Sequence, residues 1–293
     1  MPQTAVLALL IALVFAFFCG SVQTSLRAWL KREPARVWLL PAALTSIFSG
    51  AAWMAGVASL PLATAMLAYT AAPTLCAFAQ GTEAKKAEGW DFGAVLLLWL
   101  PLEFNAGAAL VPRPAQGFLH SVAYGIAILL GLTLFLCFRG IDGMKYNLPR
   151  RASDWWLPAL AFAITAPVLI AVGIPIGFIP PPHLPTPPSG RPAAAVGLIF
   201  AGTALPEEIL FRALIQNLMM QRWGAGTRTL VAASLIFGAA HLDNGPQALP
   251  NWRYMILATI AGVAYGKVFQ KSSTVVSSAL LHTAVDWTKH YFF

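Results

Sequence analysis

Ten apolar stretches, several of them near 20 residues long, constrain the fold of this chain more than any other feature. They are predicted at residues 5–26, 37–58, 62–80, 92–111, 117–138, 155–179, 193–216, 229–243, 253–269 and 274–292. A helix needs about 20 apolar residues to cross a bilayer, and shorter stretches suit tilted or re-entrant segments. Of the 293 residues, 58% are hydrophobic and only 10% are charged. We therefore predict an all-α, polytopic membrane helix bundle with about eight to ten transmembrane helices.

The basic residues support this arrangement, because they lie mainly in the short loops between the apolar stretches. If the N-terminus is outside, all but four of the 19 Lys and Arg residues fall in loops predicted to be cytoplasmic. Such an excess of Lys and Arg is typical of cytoplasmic loops. The net charge of +8 therefore indicates membrane topology rather than a nucleic-acid surface. We predict an integral membrane protein with its N-terminus outside and no nucleic-acid partner.

A proline-rich segment at residues 179–192 predicts the main division of the chain. Its many prolines lack backbone donors and fix φ, so the segment cannot be helical and is expected to form an extended extramembrane loop. We predict N-terminal transmembrane helices of unassigned role over residues 1–154 and a C-terminal helical core over residues 155–293. In the N-terminal part, Glu103 interrupts the fourth apolar stretch, and no role is assigned to it.

Three polar islands interrupt the apolar stretches of the C-terminal part. They are Glu207-Glu208-x-x-x-Arg212, Phe237-x-x-x-His241 and His282-x-x-x-Asp286. Residues four apart share one face of a helix. Glu208 and Arg212 are therefore expected to pair, while Glu207 points about 100° away. Pro206, just before the two acids, is expected to kink or interrupt its helix.

Together these islands predict one polar cavity in which hydrolysis takes place. Ionisable groups inside a membrane are costly unless they are paired or share a water-accessible site, so they usually mark functional positions. A carboxylate can act as a general base toward water, and histidine can orient that water or donate to an oxyanion. This combination suits hydrolysis of a carbonyl compound. The chain has neither the GxSxG elbow of a serine hydrolase nor the HExxH helix of a zincin.

The order EExxxR, FxxxH and HxxxD on successive apolar segments resembles the CPBP (Abi) intramembrane protease family. That family includes the type II CAAX prenyl endopeptidases and bacteriocin-processing or immunity proteins. The resemblance covers roughly residues 193–293, and residues 155–192 could contribute a preceding helix. It implies an intramembrane endopeptidase that hydrolyses a peptide bond of a membrane-associated substrate.

The resemblance also implies a role for each motif residue. Glu207 would activate the attacking water, His241 would help to hold that water, and His282 would face the scissile carbonyl as an oxyanion donor. Glu208 and Arg212 would hold the motif helix in shape, and Phe237 would orient His241. Asp286 departs from the family, which often has Asn at this position. An ionised Asp cannot donate to an oxyanion, so Asp286 is either protonated or orients His282.

Two alternatives remain open from the sequence. Glu207, His241 and His282 could hold a catalytic zinc ion, because three N or O ligands plus water form a known zinc pattern. We favour the reading without a metal cofactor. A non-catalytic membrane scaffold or a transporter is the alternative from another functional class. The expected partners are the lipid bilayer and a membrane-embedded or lipidated peptide or protein substrate. The cytoplasmic membrane of a bacterium is the expected location, because nothing in the sequence indicates a eukaryotic setting.

Overall fold

The computed structural model describes residues 2–83, 86–103, 115–183, 192–245 and 248–293. Within these ranges the regular structure is entirely helical and no strand occurs, which confirms the predicted all-α fold. Internal contacts divide the chain into two compact units, Met1–Met144 and Lys145–Phe293. The division falls before the boundary predicted between residues 154 and 155, because residues 145–154 pack within the second unit.

In its described residues, the first unit has six α-helices and a buried ion pair. They are α1 (Pro2–Ala16), α2 (Gly20–Arg32), α3 (Leu39–Met54), α4 (Leu60–Gln80), α5 (Gly89–Glu103) and α6 (Gln116–Gly131). A 3-10 helix, Pro34–Trp38, precedes α3, and a π-helix, Leu132–Phe138, continues α6. Arg139 binds Asp91 through Nε and Nη2 at 2.8 and 3.0 Å, and both side chains are almost fully buried. Its Nη1 donates to the Gln80 and Gly81 carbonyls, so one arginine links the end of α4 to the start of α5.

The first predicted span, residues 5–26, is wrong as a single helix. Helices α1 and α2 meet at an angle of 86°, with the break at residues 17–19. Gln23 donates from its side chain to the Phe17 carbonyl at 2.5 Å, which satisfies a backbone acceptor that the break leaves open. Helix α2 is also amphipathic, and Arg32 ends it.

The second unit contains the helices that carry the three polar islands. They are α7 (Ser153–Gly173), α8 (Pro192–Ile199), α9 (Leu205–Glu208), α10 (Asn217–Trp223), α11 (Thr227–Ala239), α12 (Trp252–Lys271) and α13 (Val276–Phe292). Two π-helical segments, Phe200–Ala204 and Ile209–Gln216, join α8, α9 and α10 into one long helix. Helix α11 packs along α12, and α13 packs against α7, α12 and the α8–α9 part of the long helix.

Polar contacts around residues 145–154 fix the start of α13. Lys145 Nζ donates to the Phe269 and Ser272 carbonyls at 2.7 and 2.9 Å, where α12 ends and its last carbonyls lack helical partners. Burial lowers the pKa of Lys145 from its ordinary value. Asp154 accepts from the Ser273 backbone at 2.8 Å and from its hydroxyl at 2.5 Å. Lys145 and Asp154 therefore both stabilise the turn between α12 and α13.

Five helices among the described residues are long and apolar enough to cross a membrane, or six if the bent α1–α2 pair is one span. Eight to ten spans were predicted, and the remaining predicted stretches correspond to helices at nearly the expected positions. Several of these are shorter than a full span: α5 has 15 residues, α11 has 13 and α13 has 17. Residues 184–191 of the predicted proline-rich loop lie outside the described residues.

Candidate active site

The two adjacent acids lie on a helix whose hydrogen bonding changes on both sides of them. Glu207 and Glu208 belong to the four-residue α9, with a π-helical segment before it and another after it. The Leu205 N–H bonds to the Phe200 carbonyl, five residues earlier, and Pro206 has no N–H to donate. The predicted interruption at Pro206 therefore takes the form of wider turns, and the helix continues. Such π-helical turns are frequent at functional sites.

The surroundings of the two acids differ sharply. Glu208 is fully buried, with Oε2 at 3.1 Å from Arg212 Nε and Oε1 at 3.1 Å from His282 Nδ1. This confirms the ion pair that the i,i+4 spacing predicted. The Glu207 side chain is 22% exposed, and its Oε2 lies 3.9 Å from His282 Nε2. One acid is therefore neutralised inside the protein, while the other keeps access to the surroundings.

Aromatic rings surround the Arg212 guanidinium. Its Cζ lies 4.6 Å from the centroid of the Phe237 ring and 5.8 Å from that of Tyr265. The side chain is fully buried, so the positive charge is compensated by Glu208 and by the faces of two rings. The Tyr265 ring also stacks on His282, with centroids 4.6 Å apart and planes at 23°. Arg212 is thus connected to His282 both through Glu208 and through Tyr265.

His282 is in contact with three carboxylates. Its Nδ1 faces Glu208, whereas its Nε2 faces Glu207 at 3.9 Å and Asp286 Oδ2 at 3.4 Å. His282 and Asp286 are one turn apart on α13, as their spacing predicted. The ring is almost fully buried, while a third of the Asp286 side chain is exposed. Because a carboxylate only accepts hydrogen bonds, Nδ1 carries the proton that Glu208 accepts.

His241 follows the last turn of α11 and is held by the backbone. Its Nδ1 lies 2.8 Å from the Phe237 carbonyl, which only accepts, so Nδ1 is the donor and Nε2 is left for another partner. The Phe237 ring makes edge contacts with His241 and His282, at centroid distances of 4.8 and 5.8 Å. Phe237 therefore lies between the two histidines and contacts both.

A cavity in the second unit brings several of these groups together. His241, His282 and Asp286 line it, together with Tyr254, Tyr265 and Lys289. The remaining lining is mostly aliphatic and aromatic, from α7, α12 and α13. Glu207 is not among the lining residues, but its Oε2 lies 3.9 Å from Nε2 of His282, which does line the cavity.

The two tyrosines and the lysine that line the cavity were not predicted as site residues from the sequence. Tyr254 and Tyr265 occur in an apolar stretch without any motif, so only the packing of α12 on α11 and α13 reveals them. Lys289 carried a usable signal, because it lies seven residues after His282 and three after Asp286. Such positions share a helix face.

A scan against protein-family models finds one match in this same region. Residues 189–288 match the family described as Type II CAAX prenyl endopeptidase Rce1-like. This match supports the CPBP, CAAX protease-like family. The family resemblance read from EExxxR, FxxxH and HxxxD is thereby confirmed. No curated protein and no solved structure matches the chain.

The Rce1-like segment contains every residue of the three polar islands and about a third of the chain. It indicates a hydrolase of the protease class and supports an intramembrane CAAX-type endopeptidase in general. Together with the apolar helices, it indicates an integral membrane protein. The first unit lies outside the matched residues.

The side chains of the polar islands do not form a metal site as they are placed. Among the described residues, no group of three or more His, Cys, Asp or Glu side chains is placed so that it could hold a metal ion. The Nδ1 atoms of His241 and His282 are directed at the Phe237 carbonyl and at Glu208, so only the Nε2 atoms of the two rings could bind a metal. As they are placed, Glu207, His241 and His282 do not form a zinc ligand set, and the zinc alternative stays a prediction.

Proposed function

We propose that this protein is an intramembrane endopeptidase that hydrolyses a peptide bond of a membrane-associated substrate with a water activated by Glu207. The observation that carries the proposal is the difference between the two adjacent acids. Glu208 is buried against Arg212 and His282, whereas Glu207 is partly exposed and lies 3.9 Å from His282 Nε2. A general base must reach both its proton and a water, and of the two acids only Glu207 combines exposure with proximity to His282.

In the first step Glu207 removes a proton from the water while the water oxygen attacks the carbonyl carbon. His241 supports this step, because its Nδ1 donates to the Phe237 carbonyl and its Nε2 can accept the second hydrogen of the same water. The attack converts the carbonyl oxygen into an oxyanion. The proton held by Glu207 then passes to the amine nitrogen as the C–N bond breaks, so the base is regenerated.

In the same mechanism His282 stabilises the oxyanion through Nε2. Its Nδ1 hydrogen is held by Glu208, which fixes the plane of the ring. Three neighbouring carboxylates compensate a positive charge on the ring, so a doubly protonated His282 can donate from both nitrogens. Asp286, at 3.4 Å from Nε2, orients the ring and holds that proton until the substrate carbonyl arrives. Of the two roles considered for Asp286, we therefore propose orientation of His282.

The substrate that we propose is a membrane-embedded or lipidated peptide or protein. The mostly apolar lining of the cavity suits such a chain better than a hydrophilic peptide, because burial of apolar surface drives binding. The location that we propose is the cytoplasmic membrane of a bacterium, with the N-terminus outside, on the distribution of Lys and Arg.

The test is cleavage of a fluorogenic apolar peptide by the purified protein in detergent. Glu207→Gln keeps the size and hydrogen bonding of the side chain but cannot accept a proton. We expect the rate to fall by about 10⁴-fold, the upper end of general acid–base contributions, with an unchanged melting temperature. Glu33→Gln is the matched control, because it makes the same change in the exposed Glu33–Arg36 pair.

Three outcomes would redirect the proposal. Full activity of Glu207→Gln, with the control also active, would exclude Glu207 as the base. Loss of wild-type activity on addition of a zinc chelator, restored by zinc, would move the mechanism to the metal alternative. A wild-type protein that cleaves none of a panel of membrane-inserted peptides would favour the scaffold or transporter alternative.

A further inference from the structure

Lys289 brings a positive charge to the cavity, and the mechanism above does not use it. It lies on α13 together with His282 and Asp286, and all three residues line the cavity. Positions separated by four and three residues face the same side of a helix. From His282 to Lys289 the helix rises by about 10 Å, at roughly 1.5 Å per residue. The cavity therefore has His282 and Asp286 on adjacent turns of α13, and the Lys289 ammonium group lies two turns beyond His282.

Two aromatic rings hold the Lys289 ammonium in place. Its Nζ lies 4.6 Å from the centroid of the Phe178 ring and 4.7 Å from that of Tyr254, and both rings line the cavity. The two rings are themselves 4.9 Å apart. Tyr254 in turn contacts His241, with centroids 4.5 Å apart. The position of the charge is thus fixed relative to the catalytic histidines.

The ammonium remains available to an anion from outside the chain. Lys289 is exposed, and no ion pair joins it to a carboxylate of the described residues. Asp286, the acid one turn away, directs Oδ2 at His282 and interacts with the Lys289 charge without forming an ion pair with it. A cation at the mouth of a mostly apolar cavity attracts a ligand that has one negative charge on an otherwise apolar body.

We propose that Lys289 is a specificity-determining residue that binds a carboxylate of the substrate a few residues from the scissile bond. This proposal rests on the proposed function, because the substrate is taken to be a peptide at the same site. An extended chain advances about 3.3 Å per residue, so the rise of about 10 Å along α13 corresponds to roughly three residues. The carboxylate belongs either to the C-terminus of the peptide or to an acidic side chain.

The experiment measures peptide binding, so it does not depend on cleavage. The probes are three fluorescein-labelled, six-residue apolar peptides with one sequence. The first has a free C-terminal carboxylate, the second is its C-terminal amide, and the third is the amide with a glutamate as the last residue. Fluorescence anisotropy gives the Kd of each for Glu207→Gln protein in neutral detergent. The Glu207→Gln background prevents turnover of the probes.

In this background we expect at least one carboxylate peptide to bind about tenfold or more tightly than the plain amide, as for one charge-assisted hydrogen bond. Lys289→Met should abolish that preference, and Lys289→Arg should keep most of it. Lys271→Met is the matched control, because it removes a lysine from the last turn of α12, away from the cavity. It should leave the preference unchanged.

The pattern of results separates the outcomes. Tighter binding of the free acid alone assigns the C-terminal carboxylate, and tighter binding of the glutamate peptide alone assigns an acidic side chain. Equal Kd values for all three peptides would overturn the proposal, even if Lys289→Met failed to fold. A preference that survives in folded Lys289→Met would overturn it as well. The two failures are distinguishable: failure of the Glu207 mechanism appears as cleavage activity of Glu207→Gln, whereas failure of this proposal appears as equal Kd values for the three peptides.

Discussion

Glu207 and Glu208 have the same side chain and adjacent positions, yet the fold gives them opposite environments. A turn of about 100° around the helix places Glu208 against Arg212 and His282, and leaves Glu207 partly exposed. Burying two ionised acids together would be costly, because each needs its own compensating charge. The buried Arg212 compensates the charge of Glu208, while Glu207 stays partly exposed beside His282.

At this scale, loss of the Arg212 charge should destabilise the protein itself. In Arg212→Ala, Glu208 would remain fully buried without its arginine partner, and Phe237 and Tyr265 would lose the guanidinium that packs on them. Removal of one partner of a buried ion pair costs about 3–5 kcal/mol. We expect a clearly lower melting temperature in detergent and less folded protein.

Lys31→Ala provides the comparison for Arg212→Ala. Its pair with Glu83 is exposed, with N and O atoms 4.0 Å apart, so its loss should cost at most about 1 kcal/mol. Equal melting temperatures for Arg212→Ala and the wild type would contradict a structural role for the buried pair.

The residue pairs that the sequence predicted are local ones. Glu208 with Arg212 and His282 with Asp286 follow from the helical repeat alone, so their spacing sufficed. The contact between His282 and Glu208 joins residues 74 positions apart, and the stacking of Tyr265 on His282 depends on how α12 and α13 pack. No spacing rule reports such contacts, because they depend on tertiary structure.

At the level of helices, close packing of α11 on α12 places His241. Gly238 lies in α11 three residues before His241, and a Cβ there would lie 2.7 Å from the Met255 carbonyl oxygen and would also meet the Thr259 side chain. Gly262 of α12 similarly lets Phe237 and Ser234 approach closely. Small residues at such crossings allow helix backbones to come together in membranes.

Gly238→Ala should therefore push the two helices apart. Because the nearest atoms include backbone, the overpacking should cost about 1–3 kcal/mol, and His241 should shift away from the cavity. We expect a lower melting temperature and a loss of cleavage activity together. Gly197→Ala is the control, since a Cβ at that position meets nothing within 4 Å. An unchanged melting temperature for Gly238→Ala would show that the crossing can relax at no cost.

The positions of the helices were predicted more accurately than the points at which a helix bends or changes its hydrogen-bonding pattern. Most predicted stretches agree with the observed helices to within a few residues, since apolar length alone indicates them. The 86° bend between α1 and α2 was missed because the apolar run continues through it and contains neither proline nor a charge. The two π-helical segments beside Glu207 and Glu208 were also missed, because they depend on hydrogen-bond partners rather than on composition.

At the scale of the whole molecule, all residues to which we assign a catalytic role lie in one of the two units. The cavity, the three polar islands and the Rce1-like match all belong to the unit Lys145–Phe293. This unit has its own buried polar contacts, such as those of Lys145 and Asp154, and its own basic residues before α7. The first unit has the separate buried pair of Arg139 and Asp91. Its role was not predicted from the sequence, because it contains none of the three motifs.

This division leads to a final prediction about residues 145–293 expressed without the first unit. Because Lys145, Arg150 and Arg151 precede α7, this fragment keeps the charges that favour a cytoplasmic start, so it should insert in its native orientation. Its internal contacts are sufficient for a compact unit, and it contains every residue that lines the cavity. We expect the purified fragment to melt cooperatively and to cleave the fluorogenic peptide within about tenfold of the full-length rate, roughly 1.4 kcal/mol in barrier height. The Glu207→Gln fragment is the control for contaminating proteases. A fragment that folds but does not cleave would place an essential part of the site in residues 1–144, and the catalytic role would then belong to both units.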